Sequence, residues 1–245
     1  MHLSKLAYAA VAVTGFLTPA YGGTITPDII FGSGNTNRGF TVETVGDLEL
    51  GLRAKQRYTS ANDAIGVGIV QDAAGNYLFD STAQTVPAGR SVWNFDWSIN
   101  SDIANGTTAL DAYSYQIAVD YDPSAAENML TYDPLSAIST GYYLGTNASG
   151  NGSAVFESGG DENFSLFNVA QNSVNMGFLL GAPTGAGQYR VELSAFSGTA
   201  LVGSTSIDVY VDTTPAPIPL PAGGVLLLSG LAGVAALKRR KKRAA

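Results

Sequence analysis

Trp93-Asn94-Phe95-Asp96-Trp97-Ser98-Ile99 decides the fold class. Trp93, Phe95, Trp97 and Ile99 alternate with Asn94, Asp96 and Ser98. A helix cannot hold such a set on one side, because its side chains repeat every ~3.6 residues. A strand can, and the pattern predicts a half-buried strand with one apolar face. Three other stretches read the same way. Tyr113, Tyr115, Ile117, Val119 and Tyr121 alternate with Ser114, Gln116, Ala118 and Asp120. Tyr189, Val191, Leu193 and Ala195 alternate with Arg190, Glu192 and Ser194, and Ile207, Val209 and Val211 with Asp208, Tyr210 and Asp212. Weaker strand candidates lie at 39–45, 48–58, 65–70, 76–80, 153–157, 164–169 and 174–180.

The intervals between them carry turn chemistry: Asp72-Ala73-Ala74-Gly75-Asn76, Asp122-Pro123-Ser124, Ser158-Gly159-Gly160-Asp161 and Ala182-Pro183-Thr184-Gly185. No long stretch has a helical period. Some ten to twelve short antiparallel strands separated by glycine-rich turns predict an all-β antiparallel β-sandwich, jelly-roll or Ig-like, with a closed barrel as the alternative. Segments 188–196 and 201–211, joined through Ser197-Gly198-Thr199, predict a terminal hairpin.

Composition excludes several chemistries. The 245 residues contain no Cys and one His, His2, at the extreme N-terminus. A Ser-His-Asp triad, a Cys-His pair, a His-ligated zinc and an iron–sulfur cluster cannot be built from the rest. The formal charge of −7 hides an asymmetry: all 20 acids lie between Asp28 and Asp212. That span holds only six bases (Arg38, Arg53, Lys55, Arg57, Arg90 and Arg190), so it carries 6 − 20 = −14. A field of that sign repels phosphate and argues against nucleic-acid binding.

The two ends read as addresses. Residues 1–22 form a secretory signal peptide, with Lys5 in its basic region, an apolar run over 6–17, and Ala20-Tyr21-Gly22 ahead of a cut between Gly22 and Gly23. Residues 23–213 are the exported domain. Without cysteine its stability rests on a core and not on disulfides. Residues 214–221 are a linker in which Pro215, Pro217, Pro219 and Pro221 enforce extended backbone. Residues 222–237 carry no charge and are apolar apart from Ser229. As a helix they reach about 24 Å, short of a hydrocarbon core of about 30 Å. Lys238, Arg239, Arg240, Lys241, Lys242 and Arg243 follow, and the basic tail, 238–245, is expected to stay cytoplasmic. The apolar segment is therefore expected to be a short transmembrane helix, assisted by snorkelling of Lys238 and Arg239.

Ile218-Pro219-Leu220-Pro221-Ala222, the apolar run and the basic tail together resemble the VPLPA variant of the PEP-CTERM sorting signals of Gram-negative exported proteins, with Ile in place of Val. The resemblance covers about 28 residues and implies an exosortase-type membrane protease or transpeptidase as partner. Such an enzyme cuts near the Pro-Ala step and releases or re-attaches the exported part. Gly223-Gly224 is also similar to the GlyGly-CTERM signals of rhomboid-like proteases, which lack the Pro-Leu-Pro-Ala step. Asp120-Tyr121-Asp122-Pro123-Ser124, residues 168–173 and Gly187-Gln188-Tyr189-Arg190-Val191 resemble ectodomains that carry such signals.

Three constellations are candidates for chemistry. Asp120 and Asp122, two apart on one strand face and with Glu127 nearby, could supply hard oxygens to Ca²⁺; the plain alternative is an Asp-Pro turn. Asp161-Glu162 in a glycine loop could serve a cation or a glycosidase acid, against a solvated loop. Trp93, Trp97, Tyr142 and Tyr143 could stack on sugar rings if exposed, or fill the core. Asn147-Ala148-Ser149, Asn151-Gly152-Ser153 and Asn163-Phe164-Ser165 match the glycosylation sequon by chance. The leading expectation is a non-enzymatic surface or matrix protein associated with exopolysaccharide or biofilm. The alternatives are a carbohydrate-binding or adhesive module and a carboxylate-dependent glycoside hydrolase.

Overall fold

The structure, a computed structural model, describes residues 24–26, 29, 38–58, 68–82, 85–136, 141–149, 155–157, 163–179 and 181–215. They hold β1 (Thr24–Thr26), β2 (Phe40–Val45), β3 (Leu48–Gln56), β4 (Tyr77–Phe79), β5 (Trp93–Asn100), β6 (Ser114–Asp120), β7 (Met129–Tyr132), β8 (Tyr142–Gly145), β9 (Val155–Glu157), β10 (Val169–Asn175), β11 (Gly187–Ser197) and β12 (Ala200–Val211). All of them lie in the first of two units, Met1–Thr213 and Thr214–Ala245. Among the described residues helix is confined to single 3-10 turns at Leu110–Ala112, Phe164–Leu166 and Met176–Phe178. Among the described residues no helix is long and apolar enough to cross a membrane. The apolar segment 222–237 lies outside them, as do the leader 1–22 with its cut at Gly22 and Gly23, the sorting motif and the basic tail.

The strands form two sheets. One has seven strands in the order β1-β2-β3-β5-β10-β8-β9, all antiparallel. The other has five in the order β4-β12-β11-β6-β7. There β4 runs parallel to β12, an exception to the all-antiparallel expectation. The sequence-predicted sandwich is therefore the architecture, in two sheets and not one closed barrel. The alternating stretches supply its filling. Leu48, Leu50, Leu52 and Ala54 of β3 and Trp93, Phe95, Trp97 and Ile99 of β5 are buried in one core with Tyr189, Val191, Leu193 and Ala195 of β11 and Ile207, Val209 and Val211 of β12. Trp93 is the pivot between the layers. Its ring stacks on Phe79 of the opposite sheet at 6.4 Å and meets Tyr189 of that sheet at 5.7 Å.

The predicted terminal hairpin is β11–β12, paired from Gly187↔Val211 to Ser197↔Ala200 with a shift at Ala195/Phe196. Small residues let β12 close one corner of the sandwich. A Cβ on Gly203 would stand 3.1 Å from Val45, and the Thr205 hydroxyl donates to the Thr41 carbonyl at 3.2 Å.

Several sequence expectations are corrected. Segment 164–169 is not a strand at its start: Phe164–Leu166 is a 3-10 turn whose N-cap, Asn163, accepts from the Ser165 amide. Segment 174–180 straddles a boundary, since β10 ends at Asn175 and that side chain caps the 3-10 turn by accepting from Gly177. In both places an asparagine side chain takes backbone donors that a ladder would have used. Of 65–70, the described residues 68–70 form no strand, although the Val70 carbonyl accepts from Leu78. Strands β1, β7 and β8 and residues 170–173 of β10 fall where none was predicted; the first three are only three or four residues long and too short to show a period.

The largest correction concerns β5. It is not half-buried: Asn94, Asp96, Ser98 and Asn100, on the face away from the core, are at most 2% exposed. Alternation reveals which face is apolar and is silent about what lies over the other. Part of the cover is a second apolar cluster of Ile29, Phe40 and Val42. Gly51 makes room for it, since a Cβ there would lie 3.3 Å from the Phe40 ring and 3.7 Å from Ile29.

Candidate functional site

The polar face of the seven-stranded sheet is where the domain concentrates buried charge. Antiparallel register fixes its rows. Arg53 of β3 stands opposite Asp96 of β5, which stands opposite Ser173 of β10. Lys55, Asn94 and Asn175 form the adjacent row, and Glu49, Asn100 and Val169 a row at the far end.

Asp96 anchors the centre and is fully buried. Its Oδ2 accepts from Arg53 Nε at 2.7 Å and faces Lys55 Nζ at 3.0 Å. Arg53 also donates from a terminal nitrogen to the Arg38 carbonyl at 2.7 Å, and its guanidinium sits 4.3 Å over the Phe40 ring. Burial by itself raises the Asp96 carboxyl, but Arg53 and Lys55 reverse this, so the group titrates below the usual aspartate range. Lys55 is lowered, by burial against the pull of Asp96. The other oxygen, Asp96 Oδ1, is sealed from solvent with no hydrogen-bond partner in bonding geometry, although the Ser173 hydroxyl is its register neighbour.

Amides flank this charge on both sides. Asn175 Nδ2 donates to Asn94 Oδ1 at 2.8 Å and to the carbonyls of Ser91 and Trp93 at 2.8 and 3.0 Å. Asn94 Nδ2 donates to Ser173 Oγ at 2.9 Å. At the other end Asn168 Nδ2 donates to Asn100 Oδ1 at 2.8 Å and to Asn147 Oδ1 at 2.6 Å. Asp102 closes the following loop by accepting from the amides of Asn105, Thr107 and Thr108, which holds its carboxyl well below the usual range. Asn147 of the first sequon is thus spent inside a network, as its Nδ2 also donates to the Asp102 carbonyl.

Glu49 is the odd carboxyl of this face. Its Oε1 is buried without a hydrogen-bond partner, and burial pushes its pKa up to about 7. A carboxyl raised in the fold favours the folded state below its unfolded value and loses that contribution as pH climbs through the folded one. Stability should therefore fall between about pH 4.5 and 7 on account of Glu49. Glu49→Gln should remove this slope, gaining on the order of 2 kcal/mol above pH 7 and almost nothing near pH 4. Urea melts at the two pH values check it; an equal gain at both would refute the assignment.

The residues singled out from sequence are placed differently. Asp120 is buried, and its Oδ1 accepts from the amides of Asp122 and Asn128 at 2.9 and 2.8 Å. Asp122 accepts from the Ser124 amide, which lowers its carboxyl, and Glu127 reaches towards Arg190 at 4.0 Å. Asp120, Asp122 and Glu127 are close in sequence but not gathered as ligands, since the described residues contain no group of three metal-ligating side chains. The turn reading describes their geometry. Trp93, Trp97 and Tyr142 are core residues, the last with its ring 6.0 Å from Phe164, so they form no exposed stacking platform. Tyr143 is half-buried. Asp161, Glu162 and Asn151 lie outside the described residues. Asn163 caps a turn.

Sequence reasoning passed over Arg53, Lys55, Asp96 and Glu49. All four occupy alternate positions that read as solvent-facing, and only the pairing of β3 with β5 brings them together. No protein-family model matches the chain, and no curated protein matches it.

Proposed function

We propose that the chain is an exported, non-enzymatic surface or matrix protein, processed at its C-terminus by an exosortase-type membrane protease or transpeptidase and associated with exopolysaccharide. The observation that carries this reading is the order of parts after β12. A strand ending at Val211 is followed by four prolines in 214–221, an uncharged apolar run over 222–237 and six consecutive bases. An apolar segment backed by bases halts translocation, and rigid extended prolines present cleavable backbone at the membrane surface. The leader 1–22, cut between Gly22 and Gly23, starts the same journey, and the short apolar run serves as a transient transmembrane helix.

The finer fold belongs to the same proposal: the sandwich is Ig-like and not a jelly roll. β5 pairs with β10 in one sheet and β6 with β11 in the other, so the two pairings cross in sequence. The rows β3-β5-β10-β8 and β12-β11-β6-β7 then correspond to the ABED and GFCC′ sheets of an Ig-type sandwich. Folds of this kind host many unrelated functions, so the topology supports a cohesive extracellular module without specifying a ligand. Carbohydrate adhesion remains the second reading, on residues other than Trp93, Trp97 and Tyr142.

Replacing residues 219–222 should leave a larger, membrane-retained form, because the processing enzyme loses its site. Fractionation and immunoblotting of the native host measure this. Equal size and equal release for the variant and the parent would refute the proposal.

A further inference from the structure

The polar face brings together a half-buried amine, a carboxamide and a carboxylate, and we propose that an intramolecular isopeptide bond forms between Lys55 and Asn94, with Asp96 as the proton carrier. Lys55 and Asn94 are direct cross-strand partners of β3 and β5, and Asn94 and Asp96 lie two apart on the same face. Side chains opposed in this way start about 4.5–5.5 Å apart at Cβ. Lys55 Nζ is held on Asp96 Oδ2 at 3.0 Å, and Asn94 is the cross-strand neighbour of Lys55.

Each partner is prepared for acyl transfer. The Asn94 carbonyl oxygen already accepts from Asn175 Nδ2 at 2.8 Å, a fixed donor aimed where negative charge would develop. Asn94 Nδ2, the leaving nitrogen, is held by Ser173 Oγ at 2.9 Å. Asp96 Oδ2 takes both cations, so Oδ1 is the buried oxygen left to receive and return protons. Burial also lowers the basicity of Lys55, raising the share of neutral amine. Asn94 is buried, which limits the access of competing water to its acyl carbon.

The step balances without a co-reactant. Asp96 takes a proton from the Lys55 ammonium, and the neutral amine attacks Asn94 Cγ. A bond forms between Nζ and Cγ, and the oxyanion rests on Asn175. Asp96 passes that first proton to Nδ2, the Cγ–Nδ2 bond breaks with departure of ammonia, and the freed carboxylate takes the second proton from Nζ. That second proton then converts ammonia to ammonium and leaves Asp96 ionised again. A positioned intramolecular amine gains an effective molarity on the order of 10⁵ M or more, which is what an otherwise inert carboxamide requires. The product staples β3 to β5 near one end of their ladder, in a chain with no cysteine.

Tryptic mapping of the purified full chain by mass spectrometry tests this. The bond protects Lys55 from cleavage and joins the peptide ending at Arg57 to the one beginning at Ser91, with a mass short by one ammonia. Lys55→Arg, which keeps the charge and cannot form the link, should restore two separate peptides at full mass. Separate peptides with an intact, acylatable Lys55 in the parent chain overturn the proposal. So does ammonia loss confined to the Asn94 peptide, which would mean cyclisation of the asparagine on its own backbone. Because the parent chain gives the decisive reading, the test stands even if the variant folds poorly.

Discussion

Trp93→Ala should destabilise the domain by about 3–5 kcal/mol, the range for removing a large aromatic from a packed core. Trp93 is fully buried and bridges the two sheets. It stacks on Phe79 of β4 with rings 8° from parallel, and packs against Phe95 within its own strand at 6.4 Å and Tyr189 of β11 at 5.7 Å. Alanine leaves a cavity walled by rings that backbone pairing holds in place, so collapse cannot refill it. A domain of this size loses roughly 2–4 °C of melting temperature per kcal/mol, which makes the expected drop about 10 °C. Trp93→Phe should recover most of it by keeping the stacking partner. Calorimetry of the three proteins decides, and a drop of less than about 2 °C for Trp93→Ala would contradict the packing described.

Asp96→Ala should be nearly as damaging for a different reason. It leaves two cations facing a sealed site. Lys55, with a side chain 19% exposed, can swing its ammonium towards water, whereas Arg53 at 1% cannot. Removing one partner of a buried pair costs about 3–5 kcal/mol, because the remaining charge stays desolvated. Replacing Arg53 and Asp96 together with leucine should cost less than either single change, since no charge is then stranded. The pH dependence has a definite sign. A carboxyl depressed in the fold contributes stability above its unfolded value near 3.8, and that contribution is lost as pH falls through the lower folded value. The parent should therefore lose stability in acid more steeply than Asp96→Ala. Urea midpoints between pH 3 and 7 measure both effects. Parallel acid profiles for the two proteins would show that Asp96 is not ionised in its pair.

How legible this was depends on which level of structure the residues report. Periodicity over β5, β6, β11 and β12 identified long strands and their apolar faces, because a two-residue repeat is a property of one strand alone. It could not see that the far face of β5 is covered too, as the cover comes from Phe40 and Ile29, distant in sequence. For the same reason Asp96 read as an exposed alternate, although it is the most deeply buried acid among the described residues. Spacing left Asp120 and Asp122 open between calcium ligands and an Asp-Pro turn; in the structure the backbone amides two and eight residues on donate to Asp120. Asparagine was the least legible residue. Asn94, Asn100, Asn168 and Asn175 are polar by composition, yet each bonds groups brought in from a segment distant in sequence. The C-terminal run from Ile218 to Arg243, on which the proposed processing rests, is the opposite case, a linear pattern read without any fold.

Mass spectrometry of the native protein's C-terminal peptide, taken from the host's surface fraction, tests the central claim most directly. The account predicts a terminus at or beside the Pro221–Ala222 step, bare or carrying an added group, with Lys238 to Arg243 missing. A surface protein that still ends at Ala245 would contradict it.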